Sequence, residues 1–280
     1  MIVALLLIVG LCLGSFVNAL VWRLHESSGL KAQTSKQKGK RLSARDLSIL
    51  KGRSMCPECH HELAPWDLVP VLSWLWLRGR CRYCHQPISW QYPLVELLTA
   101  GLFVASYLWW PFTFHGLGLY YFVFWLLFLV GFMALAVYDL RWQLLPNKII
   151  YPLTGLAVVQ LAGAIAFHHV GWQAVLTALW GIVIASGIFY VIFLVSRGEW
   201  IGGGDVKLGI ILGVLLGGPL MSLLMLFVAS CLGTLAGLPL LLAGKRKVRV
   251  PFGPFLLLAT VFVTLFGASI IHWYKAQLAL

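Results

Sequence analysis

Charged residues are scarce in this chain. Asp, Glu, Lys and Arg make up only 11% of its 280 residues, and just nine are acidic. A soluble globular domain carries roughly 25% charged residues, so this composition excludes one. The strict apolar–polar alternation of a barrel strand is also lacking, which leaves helices as the way to satisfy a backbone in lipid. There is no His-Glu-x-x-His, no Gly-x-Ser-x-Gly and no strand–glycine-loop–helix unit. Those absences remove the zinc-protease helix, the serine nucleophile elbow and the dinucleotide fold.

Apolar residues are what the chain has in excess, at 60%. They fall in long runs that predict membrane helices at roughly 2–22, 93–112, 118–138, 148–168, 173–195, 206–217, 219–242 and 252–272. The sixth is short, and Gly217-Gly218-Pro219 is a break signal beside it. The first run is expected to be an uncleaved span, because its basic residues follow the apolar stretch instead of preceding it.

The formal charge of +12 is a record of orientation before it is a sign of nucleic acid, and no nucleic-acid partner is expected. Segments 23–92, 139–148, 197–207 and 245–249 hold twenty of the twenty-one Lys and Arg residues. With eight spans these segments share one side, which the positive-inside bias makes cytoplasmic. The expected fold is an all-α polytopic membrane protein of about eight transmembrane helices with a small cytoplasmic zinc-binding loop domain. Its parts are a first transmembrane helix at 1–22, the loop domain at 23–92 and a membrane-embedded core at 93–280.

The loop domain has two halves. Ser27 to Arg53 is rich in Lys, Ser and Gln and has little to bury, so it is read as flexible or docked on anionic headgroups. The second half holds Cys56-Pro57-Glu58-Cys59 and Cys81-Arg82-Tyr83-Cys84. Two such pairs predict a tetrathiolate metal site, with zinc in a structural role because a closed shell leaves no position for substrate. Two disulfides, free thiols or an iron–sulfur centre are the alternatives, and a reducing cytoplasm disfavours the first. His60, His61 and His85 flank the pairs and are read as bystanders, and Cys12 and Cys231 as packing residues.

The acids that matter most end apolar runs. Asp139 closes the run from Tyr120 to Tyr138, and Asp205 closes the turn Gly202-Gly203-Gly204. A carboxylate beside hydrocarbon is costly and marks a functional site by default. The bland readings are an Asp139–Arg141 pair and an N-cap role for Asp205, with Lys207 close by. The glycines suit either φ > 0 or a close backbone approach. Two carboxyls brought together share a proton, so one activates water while the other hydrogen-bonds a scissile carbonyl, chemistry suited to peptide hydrolysis. Glu96 and Glu199 are the other acids near membrane edges.

Several motifs then coincide in order. They are Gly14-Ser15-Phe16-Val17-Asn18, Ser54-Met55-Cys56-Pro57-Glu58-Cys59, Leu77-Arg78-Gly79-Arg80-Cys81 and Tyr92-Pro93-Leu94-Val95-Glu96. Asp139 with Leu144-Leu145-Pro146, then Gly202-Gly203-Gly204-Asp205-Val206-Lys207-Leu208, then Pro251-Phe252-Gly253-Pro254 complete the set. The chain resembles the type IV prepilin peptidases, the bifunctional leader peptidases/N-methyltransferases of pilus and type II secretion systems. The resemblance implies Asp139 and Asp205 as the catalytic pair, with Gly202, Gly204 and Lys207 supporting the active-site turn. It implies prepilin or pseudopilin substrates, cut at the cytoplasmic face of the bacterial inner membrane between a basic leader and a hydrophobic helix. It also implies methylation of the new N-terminus with S-adenosylmethionine as donor, an activity associated with the cysteine loop, whose four thiols Cys56, Cys59, Cys81 and Cys84 are all kept. Asn147 departs from the aspartate that many members carry after Leu-Leu-Pro. An ion-coupled transporter and a non-catalytic zinc-binding membrane scaffold are the competing readings; a transporter often shows an internal repeat, and none is evident.

Overall fold

The computed structural model describes residues 1–29, 48, 52–168, 170–244 and 250–278. Most of the Ser27–Arg53 stretch and all of the basic cluster 245–249 lie outside the described residues. Among those residues no strand forms beyond two isolated bridges, and the elements are helical. They are α1 (Ile2–Ser27), α2 (Leu72–Trp76), α3 (Gln91–Leu108), α4 (Gly116–Trp142), α5 (Asn147–His168), α6 (Gln173–Ala185), α7 (Gly187–Val195), α8 (Gly203–Leu216), α9 (Pro219–Leu242) and α10 (Gly253–Gln277).

Among the described residues six stretches are long and apolar enough to cross a membrane: Ile2–Ser27, Gly116–Trp142, Asn147–Phe167, Gln173–Val195, Pro219–Pro239 and Gly253–Gln277. The expected count of about eight is not reached by that measure. The runs at 93–112 and 206–217 form α3 and α8, of 18 and 14 residues, and neither is among the six. At 1.5 Å per residue α8 is about 21 Å long, short of a hydrocarbon core of about 30 Å. Gly217 takes φ 62° as the C-cap of α8, and Pro219 opens α9, so these two helices are separate.

The described chain divides into two compact units, Met1–Tyr107 and Leu108–Leu280. In the first, α1 and α3 approach through small residues. A Cβ on Gly10 would lie 2.5 Å from the Ala100 Cα, and one on Gly14 would lie 2.6 Å from the Glu96 Cα. Such close contact lets two helices gain dispersion where lipid supplies no hydrophobic drive. Buried Asn18 closes the same seam, donating to the Tyr92 carbonyl at 3.1 Å and accepting from Gln91 Nε2 at 3.2 Å.

In the second unit α8 is the central helix, touching α5, α6, α7, α9 and α10. Leu208, Ile211 and Leu212 are fully buried along it. Gly209 and Gly213 lie against the backbone of Ala185 and Gly181, a small-xxx-small contact with α6. Ser186, in the break between α6 and α7, donates its hydroxyl to the Val206 carbonyl at 2.8 Å. These contacts fix the first turn of α8, and with it Asp205.

Candidate functional site

Asp139 sits in the last turn of α4 and is 5% exposed. The helix stops because Gln143 adopts a left-handed φ of 53° and returns its N–H to the Asp139 carbonyl at 2.8 Å. Leu144-Leu145-Pro146 then leads directly into α5 at Asn147. Opposite the carboxyl lies the start of α10, where the Gly253 N–H donates to Asp139. The first amides of a helix have no partner within it and carry its positive dipole end, so this N-terminus is a suitable seat for a carboxylate. Gly253 has no space for a side chain: a Cβ there would lie 2.5 Å from Asp139 Oδ2.

Asp205 occupies the third position of α8, and its carboxyl reaches back to the Gly202 N–H. It is therefore not the N-cap; Gly202 is, with an extended φ of −74°. None of the three glycines has a positive φ. Close approach is the reason for glycine instead, since a Cβ on Gly204 would lie 2.9 Å from the Leu145 Cβ. The same Leu145 touches the Gly253 position, so the ends of α4, α8 and α10 converge on one leucine. The two carboxyls are close enough for the charge on Asp139 to act on Asp205.

Lys207 points along a different line. Its Nζ donates to Asn147 Oδ1 at 2.9 Å and lies 5.7 Å from the centre of the Tyr151 ring, tying α8 to the start of α5. Among the described residues no ion pair joins Arg141 to Asp139; Arg141 lies over the Trp142 ring at 5.6 Å. Glu199 is exposed. Glu96 belongs to the first unit, where it is buried and accepts the Val71 N–H at 2.7 Å. Gly253 and Leu145 were not singled out as site residues from sequence. The available signal was a glycine just before Pro254 at the head of an apolar run, the pattern of a helix start.

The four cysteines of the first unit form a second cluster. The sulfurs of Cys56, Cys59, Cys81 and Cys84 all lie within 4.8 Å of one another. Two knuckles of the same geometry present them. Cys56 accepts the His60 N–H at 3.0 Å and donates to the His61 carbonyl at 3.0 Å; Cys81 accepts the His85 N–H at 3.0 Å and donates to the Gln86 carbonyl at 2.9 Å. His60 and His85 take left-handed φ values of 54° and 57°, so their task is to close the turns. No histidine joins the metal-competent group among the described residues. Zinc–sulfur bonds of about 2.3 Å in a tetrahedron place sulfurs about 3.8 Å apart, and Cys56 Sγ to Cys84 Sγ is 3.8 Å. The donor set therefore fits a tetrathiolate zinc ion. Burial pushes the Cys56 thiol up to about 12 against the Cys59 and Glu58 amides that favour its thiolate, a cost that a divalent cation offsets.

Comparison with known proteins gives matches along the chain. A family model described as the bacterial peptidase A24 N-terminal domain matches residues 8–110, and one described as the type IV leader peptidase family matches residues 126–238. The prepilin leader peptidase/N-methyltransferase of Aeromonas hydrophila is 33% identical over 280 residues, covering 97% of this chain and 93% of its own. The protein of the same name from Pseudomonas aeruginosa is 32% identical, covering 96% of this chain and 91% of its own. That of Bacillus subtilis is 33% identical over 231 residues, 81% of this chain and 87% of its own. No solved structure matches significantly.

Proposed function

The chain belongs to the type IV leader peptidase family, and from that premise we propose that it removes the basic leader of prepilins or pseudopilins with Asp139 and Asp205 as its catalytic pair. One carboxylate takes a proton from water while the other, protonated, hydrogen-bonds the scissile carbonyl oxygen. Water oxygen bonds the carbonyl carbon, the C–N bond then breaks, and the proton passes to the departing amine. The leader leaves as a carboxylate and the mature protein gains a free N-terminal amine. No metal or nucleophilic side chain is required for these steps.

The observation that carries this reading is the convergence of a buried aspartate, a helix N-terminal amide and a second aspartate around Leu145. Three segments far apart in the chain contribute, and a charge marking a helix end needs no such assembly. Gly202, Gly204 and Lys207 hold the turn that presents Asp205. Asp139 ends one apolar helix and Asp205 opens another, and both lie in segments that carry Lys and Arg, which supports an inner-membrane enzyme whose site faces the cytoplasm. A membrane-anchored substrate helix meets water at that same depth.

The names of the relatives extend the reading to a second step, methylation of the new amine. S-adenosylmethionine, when bound, supplies an electrophilic methyl group to that amine. The described residues bring together no evident seat for the donor, so kinship is the support for this step. The four cysteines would hold a structural zinc ion that orders a loop too small for a large core.

The test is cleavage of a purified prepilin by the full chain in nanodiscs, read by mass spectrometry of the substrate. Asp139→Asn and Asp205→Asn are each expected to abolish processing. Wild-type turnover in either variant rejects the paired-carboxyl reading.

A further inference from the structure

The subdomain carrying the cysteines has two kinds of tryptophan. Trp74 faces inward: its Nε1 donates to the Ile88 carbonyl at 3.1 Å, and its ring occupies the space above Gly79. Trp76, two residues later, is 87% exposed. It shares one face of α2 with Leu72 and Leu75, at spacings of three and four residues, and both leucines are exposed. Trp66 and Trp90 are also exposed, at 70% and 72%, and the Trp90 ring packs on Trp74 with centroids 4.1 Å apart.

This surface is not part of a membrane-spanning helix, and water is a poor partner for it. Its borders indicate what covers it. Arg78 and Arg80 follow the apolar face directly and are exposed. Beyond Trp90 the chain enters α3 at Gln91, where Leu94, Leu97 and Leu98 present an exposed apolar flank. Tryptophans with apolar neighbours, followed by exposed arginines and continuous in the chain with the exposed apolar flank of α3, have the pattern of a segment lying in the headgroup layer.

We propose that the α2 face with its flanking tryptophans seats the cysteine subdomain in the interfacial layer of an anionic bilayer. The rings lie at the level of the glycerol groups, and Arg78 and Arg80 meet lipid phosphates. The knuckles are thereby held at the membrane surface instead of on a free cytoplasmic stalk. The inference rests on the membrane reading of the chain and stands apart from the peptide chemistry.

The full chain is placed in nanodiscs of phosphatidylcholine with phosphatidylglycerol, in which part of the lipid carries bromine at a defined acyl carbon. The emission lost in Trp76→Phe, obtained as the difference from wild type, is expected to be blue-shifted. It falls by at least about twofold with bromine near the glycerol end, and less with bromine near the chain terminus. The emission lost in Trp74→Phe, a partly buried ring that packs on Trp90 at 4.1 Å, is expected to be quenched less than that of Trp76. Replacing phosphatidylglycerol with phosphatidylcholine weakens quenching of the Trp76 component. A red-shifted, unquenched Trp76 component means water covers the face, and a blue-shifted, unquenched one means protein does; either overturns the proposal. Quenching that ignores lipid charge overturns its anionic part.

Discussion

The cysteine cluster draws its ligands from two four-residue turns, whereas the aspartate site draws on the last turn of α4, the first turns of α8 and α10, and Leu145 between them. Each knuckle is complete in itself: backbone amides, a left-handed histidine and two thiols lie within a few residues. Half a knuckle pair already has half its coordination geometry. The aspartate site as a whole lacks that independence: Asp205 has the Gly202 amide close by in the chain, but Asp139 has its amide partner only when α10 is docked. The closed sulfur shell leaves no room for a reactant, and the carboxyls, one of them only half-buried, leave access on a side. The difference separates a centre that orders a fold from one that the fold must order.

Variants sharpen this contrast, and the largest effect is expected at the carboxyls. Asp205→Asn should lower prepilin cleavage by at least about 10³-fold, within the range of acid–base catalysis, while metal content stays at the wild-type level. Loss of metal in that variant would mean the two centres are not independent. Gly253→Ala is expected to cost about 10²-fold in cleavage, because its methyl group displaces the Asp139 carboxyl and small misplacements are expensive. Retention of the fold is checked by metal content and thermal unfolding.

Cys56→Ser should abolish metal binding, read by elemental analysis, and impair methylation by about tenfold while cleavage stays within about twofold. Equal loss of both activities would break the division of labour between the units. Since ligation needs thiolates, metal retention against a chelator should also fall as pH falls. The smallest effect is expected for Asn147→Asp, which turns the hydrogen bond with Lys207 into an ion pair. A partly exposed pair contributes under about 1 kcal/mol, so unfolding shifts slightly upward and cleavage is unchanged. A large change in cleavage would show that Lys207 acts on the carboxyls as well as on α5.

Much of this was legible before any coordinates. Two Cys-x-x-Cys pairs imply a sulfur cluster because each is a local turn whose geometry needs no distant partner. Asp139 and Asp205 stood out because a carboxyl at the edge of an apolar run is rarely idle. Span counting was less secure: α3 and α8 are apolar but short or interrupted by polar residues, so hydropathy alone could not separate a buried helix from a crossing one. The glycine turn suited either φ > 0 or a close approach, and the packing of Leu145 decided for the second.

Composition and pattern determined by themselves that this is a helical membrane protein, that its cysteines form paired knuckles and which two acids to watch. Those properties follow from transfer energies and short-range backbone geometry, which a single segment already contains. Only the tertiary structure decided that Gly253 faces Asp139, that Leu145 joins three helix ends and that Trp76 turns outward while Trp74 turns in. Such contacts depend on how distant helices interlock at van der Waals range, and no local run of residues encodes that register.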